Sequence, residues 1–349
     1  MDNKIKKFMV TGASGYLASW IIQQLLEQGH IVHGTVRNLE DKNKIQHLLE
    51  LMETYPEQLT LFECDLTKEG DFEQAMEQCE IVIHTASPYF LDKPKNIEEE
   101  LIIPAVQGTK NILNSVNRHR TVKRVILTSS VVTLFNNAKD LTARVGHIIQ
   151  EHDNNSNQDK TYNPYAYSKT KAEILAREMN NKQQHWDLIT IHPGAIFGPS
   201  LSRRIDSTSV NMIMQFLNGS FKSGVPKLWL GLVDVRDVAQ LHIFAAINKK
   251  ANGKYIAVSK SLNLLEIARL IDVTRFAISD KLPKKEVPKP IIWLLAPLLG
   301  IDRKFIANNV NYPIRFDHSR SEADLEFQYR LPTETLNDHV AQLLSDNII

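Results

Sequence analysis

The chain has only two cysteines in 349 residues, and they have neither metal-ligand spacing nor a neighbouring ligand cluster. Cys64 and Cys79 therefore predict no disulfide framework, and they suit a reducing, cytoplasmic setting. His84 and His192 lie inside apolar runs rather than in a paired zinc-binding arrangement, so no metal is expected. Charge of one sign is also missing. With 41 basic and 40 acidic residues the net charge is +1 and no long block of like charge occurs, which argues against a nucleic-acid partner. The longest apolar run, Ile291–Leu299, contains Pro297 and falls well short of the roughly 20 residues needed to span a bilayer. It reads as one amphipathic or buried helix, and no membrane partner is expected. The N-terminus, Met1 to Lys7, carries a little positive charge but lacks the apolar segment and cleavage site of a signal peptide, so secretion is not expected.

A composition of 43% hydrophobic and 23% charged residues suffices for a large core. Over the first 192 residues, short apolar runs alternate with amphipathic stretches, the pattern of βαβ units feeding a parallel sheet. Strands are predicted at Ile5–Val10, Ile31–Val36, Leu59–Phe62, Ile81–His84, Val122–Leu127 and Leu188–Ile191, with helices near Gly15–Gln28, Asp41–Glu53, Asp71–Cys79, Ile97–Val116 and Pro164–Asn180. The expected fold is α/β, a Rossmann-type doubly wound parallel sheet with a smaller, mostly C-terminal substrate lobe. Residues 1–194 would form the dinucleotide-binding domain, with 232–258 returning to it, and 195–231 together with 259–349 would form the lobe. Later segments are a helix near Val210–Leu217, an apolar piece at Leu228–Leu232 and a strand-like run at Tyr255–Val258. The polar stretch from Glu151 to Lys160 is a loop rather than a linker.

The first strand ends in Thr11-Gly12-Ala13-Ser14-Gly15-Tyr16-Leu17-Ala18, two glycines three apart where a strand turns into a helix. Absent side chains let the backbone approach a pyrophosphate, and the helix N-terminus turns N–H groups and positive dipole toward it. Gly12, Ser14, Gly15, Tyr16 and Leu17 are therefore the expected cradle, and Ala18 fills the third small position that close helix–strand packing requires. About 20 residues on, the second strand ends in Arg37, where a carboxylate would bind the ribose diol of NAD and an arginine accepts a 2′-phosphate. Arg37, assisted by Lys44, selects NADPH/NADP+ over NADH.

Further along stand Val122-Lys123-Arg124-Val125-Ile126-Leu127-Thr128-Ser129-Ser130 and, 35 residues after Ser130, Tyr165-Ala166-Tyr167-Ser168-Lys169-Thr170-Lys171-Ala172-Glu173. Asp65-Leu66, Thr85-Ala86-Ser87-Pro88, His192-Pro193-Gly194-Ala195-Ile196-Phe197-Gly198-Pro199 and Val233 to Ala239 complete the set. Over essentially its whole length the chain resembles the extended short-chain dehydrogenases/reductases, within them the dihydroflavonol 4-reductase branch, which includes microbial aldehyde and ketone reductases. The resemblance implies an NADPH-dependent oxidoreductase transferring a hydride to the carbonyl of an aldehyde or ketone. Tyr165 would protonate the oxygen, Ser130 orient it, and Lys169 lower the phenol pKa and hold the nicotinamide ribose. Asp65 and Leu66 would meet the adenine, Thr85, Ala86, Ser87 and Thr128 would line the nicotinamide side, and Pro193 and Ile196 would floor the cleft.

A second pair, Tyr167 and Lys171, has the same spacing two residues on, rotated by about 200° on a helix. The Tyr165 face continues through Ala172 and Ala176, and the Ser-Lys-x-x-Ala-Glu register of the resemblance selects Tyr165 and Lys169, leaving Tyr167 as a packing or substrate-side aromatic. Ser129 and Ser130 point oppositely on a strand, and that register favours Ser130. Asp234 and Asp237 are expected to cap a helix, and Trp186, Trp229 and Trp293 to be core or rim aromatics. The stretch Glu151-His152-Asp153-Asn154-Asn155 lacks the Trp of the Glu-x-Asp-Trp-Asn pattern in microbial relatives. Substrate walls are expected from the loop after Ser130, from about Ser200 to Ser223, and from the C-terminal lobe. Two further readings are a nucleotide-sugar epimerase or dehydratase with tightly held NAD, and a non-catalytic dinucleotide sensor. The partner is a small carbonyl compound, and the chain is expected to be a monomer or a homodimer paired through its long helices.

Overall fold

A computed structural model describes residues 4–87, 96–143, 145–155, 158–202, 207–278 and 280–349. Pro88, the 203–206 part of the expected substrate wall and residues 156–157 of the polar stretch lie outside these described residues. Seven parallel strands form the central sheet. Its first five, in chain order, are β1 (Lys7–Thr11), β2 (Ile31–Val36), β3 (Leu59–Glu63), β4 (Ile81–His84) and β5 (Arg124–Thr128). Strands Asp187–Pro193 and Gly253–Ala257 complete it, and across the sheet the order runs Gly253–Ala257, Asp187–Pro193, β5, β4, β1, β2, β3. Helices α1 (Tyr16–Glu27), α2 (Lys42–Thr54), α3 (Glu73–Met76), α4 (Ile103–Arg118) and α5 (Pro164–Asn181) make the crossovers. Strand order reverses beside β1, which places the switch point, and with it the ligand crevice, at the carboxyl ends of β1 and β4.

Sequence periodicity locates these strands to within about two residues, because strands covered on both faces must be continuously apolar. Two helices differ from expectation for local reasons. The helix expected at Ile97–Val116 opens with a π-type turn, Glu98–Ile102, before α4. Pro104 near the start of α4 has no N–H, so the regular ladder cannot run through it. α3 is a single turn rather than Asp71–Cys79, because Gln78 takes a left-handed conformation with φ of 61°.

Three of the five buried clusters among the described residues position the site. One face of the sheet packs α1 and helix Val235–Ile247 through Ile21, Ile22, Leu25, Val238 and Leu241, and the other packs α4 and α5 around Ile112, Val116 and Ala176. A separate core built on Phe197, Ile213, Phe216, Leu336 and Val340 belongs to the C-terminal portion, which also holds a three-stranded sheet of Ala195–Phe197, Trp229–Asp234 and Lys260–Asn263. The return to the central sheet thus starts with helix Val235–Ile247, while Leu232 sits in the second core, and Leu325 and Phe327 near the C-terminus pack into the first. At the crossing between the sheets a Cβ on Gly194 would lie 2.2 Å from the Gly231 carbonyl oxygen, so any larger residue would push the backbones apart. Among the described residues, no helix is long and apolar enough to cross a membrane.

Candidate active site

The turn after β1 is fixed from both sides. Gly12 has φ of 67°, and a Cβ there would meet Ala86 at 3.1 Å. The Ala13 amide donates to the Thr35 carbonyl at 2.8 Å and the Gly15 amide to the Gly12 carbonyl at 2.8 Å. The Thr85 hydroxyl donates to the Thr11 carbonyl (2.6 Å), and the Ala86 amide to Thr11 Oγ1 (3.1 Å), which also lies 2.8 Å from His84 Nδ1. Burial pushes His84 down to about 3, so the ring is neutral and this strand-end lattice carries no charge at ordinary pH. Gly15 is the N-cap of α1 and brings no side chain to its first-turn amides. Ser14 follows Ala13 in this turn. The Tyr16 hydroxyl is engaged elsewhere, donating to the Gly198 carbonyl at 2.5 Å, and Leu17 packs into the core. Trp20 donates in parallel to the Pro199 carbonyl at 2.8 Å, so α1 clamps the chain segment that enters the second core.

At the outer end, Arg37 is exposed just past β2. Lys44, in the first turn of α2, is half-exposed and bonded to Asp41 at 2.7 Å, which neutralises much of the help it could give to an anion. Asp65 Oδ1 accepts from the Thr67 amide and hydroxyl, each at 2.8 Å. Those bonds hold its carboxyl below the usual range, with a smaller contribution from Arg37. Leu66 packs against Gly108 of α4, where a Cβ would approach to 3.1 Å, and the Leu66 carbonyl accepts from Asn111 at 2.8 Å.

The two Tyr/Lys pairs part company on α5. Lys169 is buried and its Nζ donates to the Thr128 carbonyl at the end of β5 (3.1 Å). Burial lowers it from 10.5 to about 8, opposed by Glu173. Lys171 is exposed and lies over the Tyr167 ring at 5.3 Å. Asn163 caps the helix by accepting from the Ala166 amide (3.0 Å), which sets the rotation of this first turn, and Ala172 and Ala176 are buried. Thr128 turns its hydroxyl away to His242 Nε2 (2.8 Å), so it meets Lys169 only through its carbonyl. The two serines also divide. Ser129 donates inward to Glu173 Oε2, whereas Ser130 starts a short 3-10 turn and its Oγ accepts only a long bond from the Val132 amide, 3.4 Å. Pro193 ends its sheet strand, and Ile196, half-buried, pairs with Val233 in the second sheet.

The sequence reading missed the floor beneath these groups. Glu173, buried one turn beyond Lys169, accepts from Ser129, from the Thr133 hydroxyl (3.2 Å) and from Arg177 (2.9 Å), with Lys254 at 3.7 Å. His192 Nδ1 lies 3.1 Å from Thr133 Oγ1 and 3.2 Å from the Ser130 carbonyl, and Nε2 is 2.9 Å from Thr190 Oγ1. Burial works against the Glu173 charge, yet its partners hold the carboxyl down to about 2. Because burial takes His192 to about 4, the ring is neutral at ordinary pH, and there the carboxylate is held by Arg177, Lys254 and Ser129. The one available signal was the glutamate that ends the Tyr-x-x-Ser-Lys-x-x-Ala-Glu run, in step with Tyr165 and Lys169.

Asn154 and Asn155 of the polar stretch before α5 are fastened to this floor. The Asn155 amide donates to the Thr133 carbonyl (2.9 Å), its side chain to the Phe135 carbonyl (2.7 Å), and Lys254 Nζ reaches Asn154 Oδ1 (2.5 Å). Asp234 caps its helix as expected by accepting from the Arg236 amide (2.8 Å), but Asp237 receives the Arg330 amide (2.7 Å) and side chain and so docks the C-terminal segment.

The chain is similar to known proteins over most of its length. The pattern of the 3-beta hydroxysteroid dehydrogenase/isomerase family matches residues 9–286. A cinnamoyl-CoA reductase of Medicago truncatula is 37% identical over 265 residues, 75% of this chain and 78% of that protein. A dihydroflavonol 4-reductase of Callistephus chinensis is 33% identical over 280 residues, 80% of this chain and 74% of that one. The crystal structure of the yeast methylglyoxal/isovaleraldehyde reductase Gre2 with NADPH superposes with a TM-score of 0.81 at 26% identity, covering 98% of this chain and 100% of that chain.

Proposed function

Since the chain belongs to the 3-beta hydroxysteroid dehydrogenase/isomerase family of extended short-chain dehydrogenases/reductases, we propose that it is an NADPH-dependent reductase of aldehydes or ketones in which Ser130, Tyr165 and Lys169 act on the carbonyl. The observation that carries the assignment of residues is the burial of Lys169 against the end of β5, while the rival Lys171 lies in solvent.

The backbone at Gly12 to Leu17 would receive the pyrophosphate, because a Cβ at Gly12 is excluded by Ala86 and the first-turn amides of α1 face the same turn. Arg37 would pair with the 2′-phosphate, with Lys44 as a weaker neighbour because of Asp41. Asp65 and Leu66 would border the adenine, and Thr85, Ala86, Ser87, Thr128, Pro193 and Ile196 the nicotinamide end. NADPH, when bound, supplies the hydride for the carbonyl carbon. Lys169, cationic below about pH 8, stabilises the Tyr165 phenolate left after proton donation and binds the nicotinamide ribose. Ser130 donates a hydrogen bond to the carbonyl oxygen, where charge develops. The second core and the segment after Ser130 would form the substrate wall. We place the enzyme in the cytoplasm as a monomer or homodimer.

The test is NADPH oxidation by purified protein across aliphatic, aromatic and α-dicarbonyl compounds and one dihydroflavonol, with NADH and Tyr165→Phe as controls. Turnover with NADPH that disappears in the variant is expected. Saturable NADPH binding with no turnover on any class would defeat the reductase reading.

A further inference from the structure

Eight large apolar side chains outside the proposed active site, between residues 291 and 305, are left more than a third exposed by the described residues. They are Ile291, Trp293, Leu294, Leu295, Leu298, Leu299, Ile301 and Phe305, and Leu298 is 85% and Leu294 66% exposed. Helix Lys289–Leu295 and helix Arg303–Asn309 pack on each other around a small core of their own, Ile292, Ala296, Ile306 and Val310. That core uses only the inner face of the hairpin. A monomer gains nothing from turning the remaining leucines and a tryptophan outward, and a continuous apolar surface of this kind marks an interaction site.

Charge identifies the occupant. Residues 280–305 hold six basic and three acidic side chains, a net +3 in a chain whose total is +1. Lys281, Lys284, Lys285, Arg303 and Lys304 are exposed, and Lys304 also lies over the Tyr162 ring at 4.6 Å. Arg303 lies over the Trp293 ring at 4.3 Å and bonds its carbonyl (3.2 Å), setting an aromatic ring beside a guanidinium at the rim. Of the three carboxylates, Glu286 lies 3.5 Å from Lys227 and Asp302 caps helix Arg303–Asn309. A symmetric contact with a second copy would set two segments of net positive charge against each other, and so disfavours self-association. Exposed apolar side chains in a segment of net positive charge, with a tryptophan beside an arginine, fit the interface of an anionic bilayer. The run is too short to span a membrane but long enough to lie in its surface.

We propose that the 289–305 hairpin is a peripheral membrane-docking site, its leucines entering the acyl boundary and its lysines and arginine meeting anionic headgroups. The inner side of the hairpin holds the substrate side of the fold: Asn309 accepts from the Ala138 amide (3.0 Å) and reaches the Tyr162 hydroxyl (3.3 Å), which in turn bonds Asn137 (2.7 Å).

Co-sedimentation of the full chain with phosphatidylcholine vesicles, with and without phosphatidylserine, tests this directly. Retention on the phosphatidylserine vesicles is expected, weakened about tenfold by 0.5 M salt or by omitting the anionic lipid. The double substitution Leu294→Glu with Leu298→Glu should abolish retention and keep both the melting temperature and NADPH turnover on a water-soluble carbonyl. Should that variant fold poorly, Trp293 serves instead, its emission shifting blue on anionic vesicles, a change absent from Trp293→Phe. No retention on phosphatidylserine vesicles, retention unaltered by the glutamates, or a wild-type dimer that the glutamates split would each overturn the proposal, the last by giving the face to a second copy. The outcome is independent of which carbonyl is reduced.

Discussion

The floor under β5 and the 289–305 hairpin depart from the ordinary distribution of side chains in opposite senses. Beneath β5, Glu173, Lys169 and His192 are buried, and each is held by hydrogen bonds. On the hairpin, leucines and a tryptophan are left largely exposed by the described residues. Buried charge is costly unless satisfied, and satisfied charge permits one arrangement only, so the first region is rigid and supports chemistry. Exposed apolar surface leaves a requirement open, and the partner that meets it is external.

Substitutions can break or sharpen this contrast. Tyr165→Phe is expected to lower kcat by about 10²- to 10⁴-fold with NADPH affinity by titration within a factor of two of wild type, while Tyr167→Phe leaves both alone. Equal activity of Tyr165→Phe and wild type would exchange the two registers. Glu173→Ala, which strands Arg177, Lys254 and Ser129, should cost about 3–5 kcal/mol in urea unfolding. It should lower kcat in the surviving folded protein while KM for NADPH holds.

Acid stability follows from the buried rings. His84 at about 3, and His192, His242 and His339 at about 4, all fall from an ordinary 6.5 through burial. As pH drops from about 6.5 to about 4 the unfolded chain takes up protons that the native state refuses, so stability declines across that window, each ring contributing up to about 1.4 kcal/mol per pH unit. Unfolding measured at intervals from pH 7 to 4 should show this slope, reduced by one proton in His192→Gln; a flat profile would contradict the burial argument. A smaller effect is predicted for Arg37→Asp, a shift of about 10- to 100-fold in the ratio of kcat/KM for NADPH over NADH. Smallest of all, Leu298→Ala on the hairpin should change unfolding free energy by less than about 0.5 kcal/mol. A loss comparable to that of Glu173→Ala would mean that the strip is packed in solution and would erase the contrast.

The nucleotide half was legible because its determinants are local. A strand covered on both faces must be apolar throughout, a glycine with positive φ announces the turn, and Tyr165 and Lys169 stand one helical turn apart. Between the two Tyr/Lys pairs the sequence chose by the Ser-Lys-x-x-Ala-Glu register, while the contact from Lys169 to Thr128, 41 residues earlier, is one that only folding makes. The same holds for Glu173 with Ser129, Asp237 with Arg330 and Tyr16 with Gly198, pairs made by folding that no spacing records. The apolar run at Ile291–Leu299 was visible in the sequence, but periodicity cannot say which face a short helix buries, and here only Ile292 and Ala296 point inward.

The seventh strand of the sheet has a consequence for biosynthesis. Gly253–Ala257 covers the edge of Asp187–Pro193, a strand buried along all but its first residue, and it leaves the ribosome some sixty residues later. At elongation rates of about 5–20 residues per second, that hydrophobic edge waits roughly 3–12 s for its partner, and longer for Leu325 and Phe327 to close the core above it. A nascent chain stalled in that interval presents an open, apolar strand to its neighbours, the arrangement most prone to edge-to-edge aggregation. Chaperone demand during synthesis should therefore peak between residues 193 and 257 rather than at the termini.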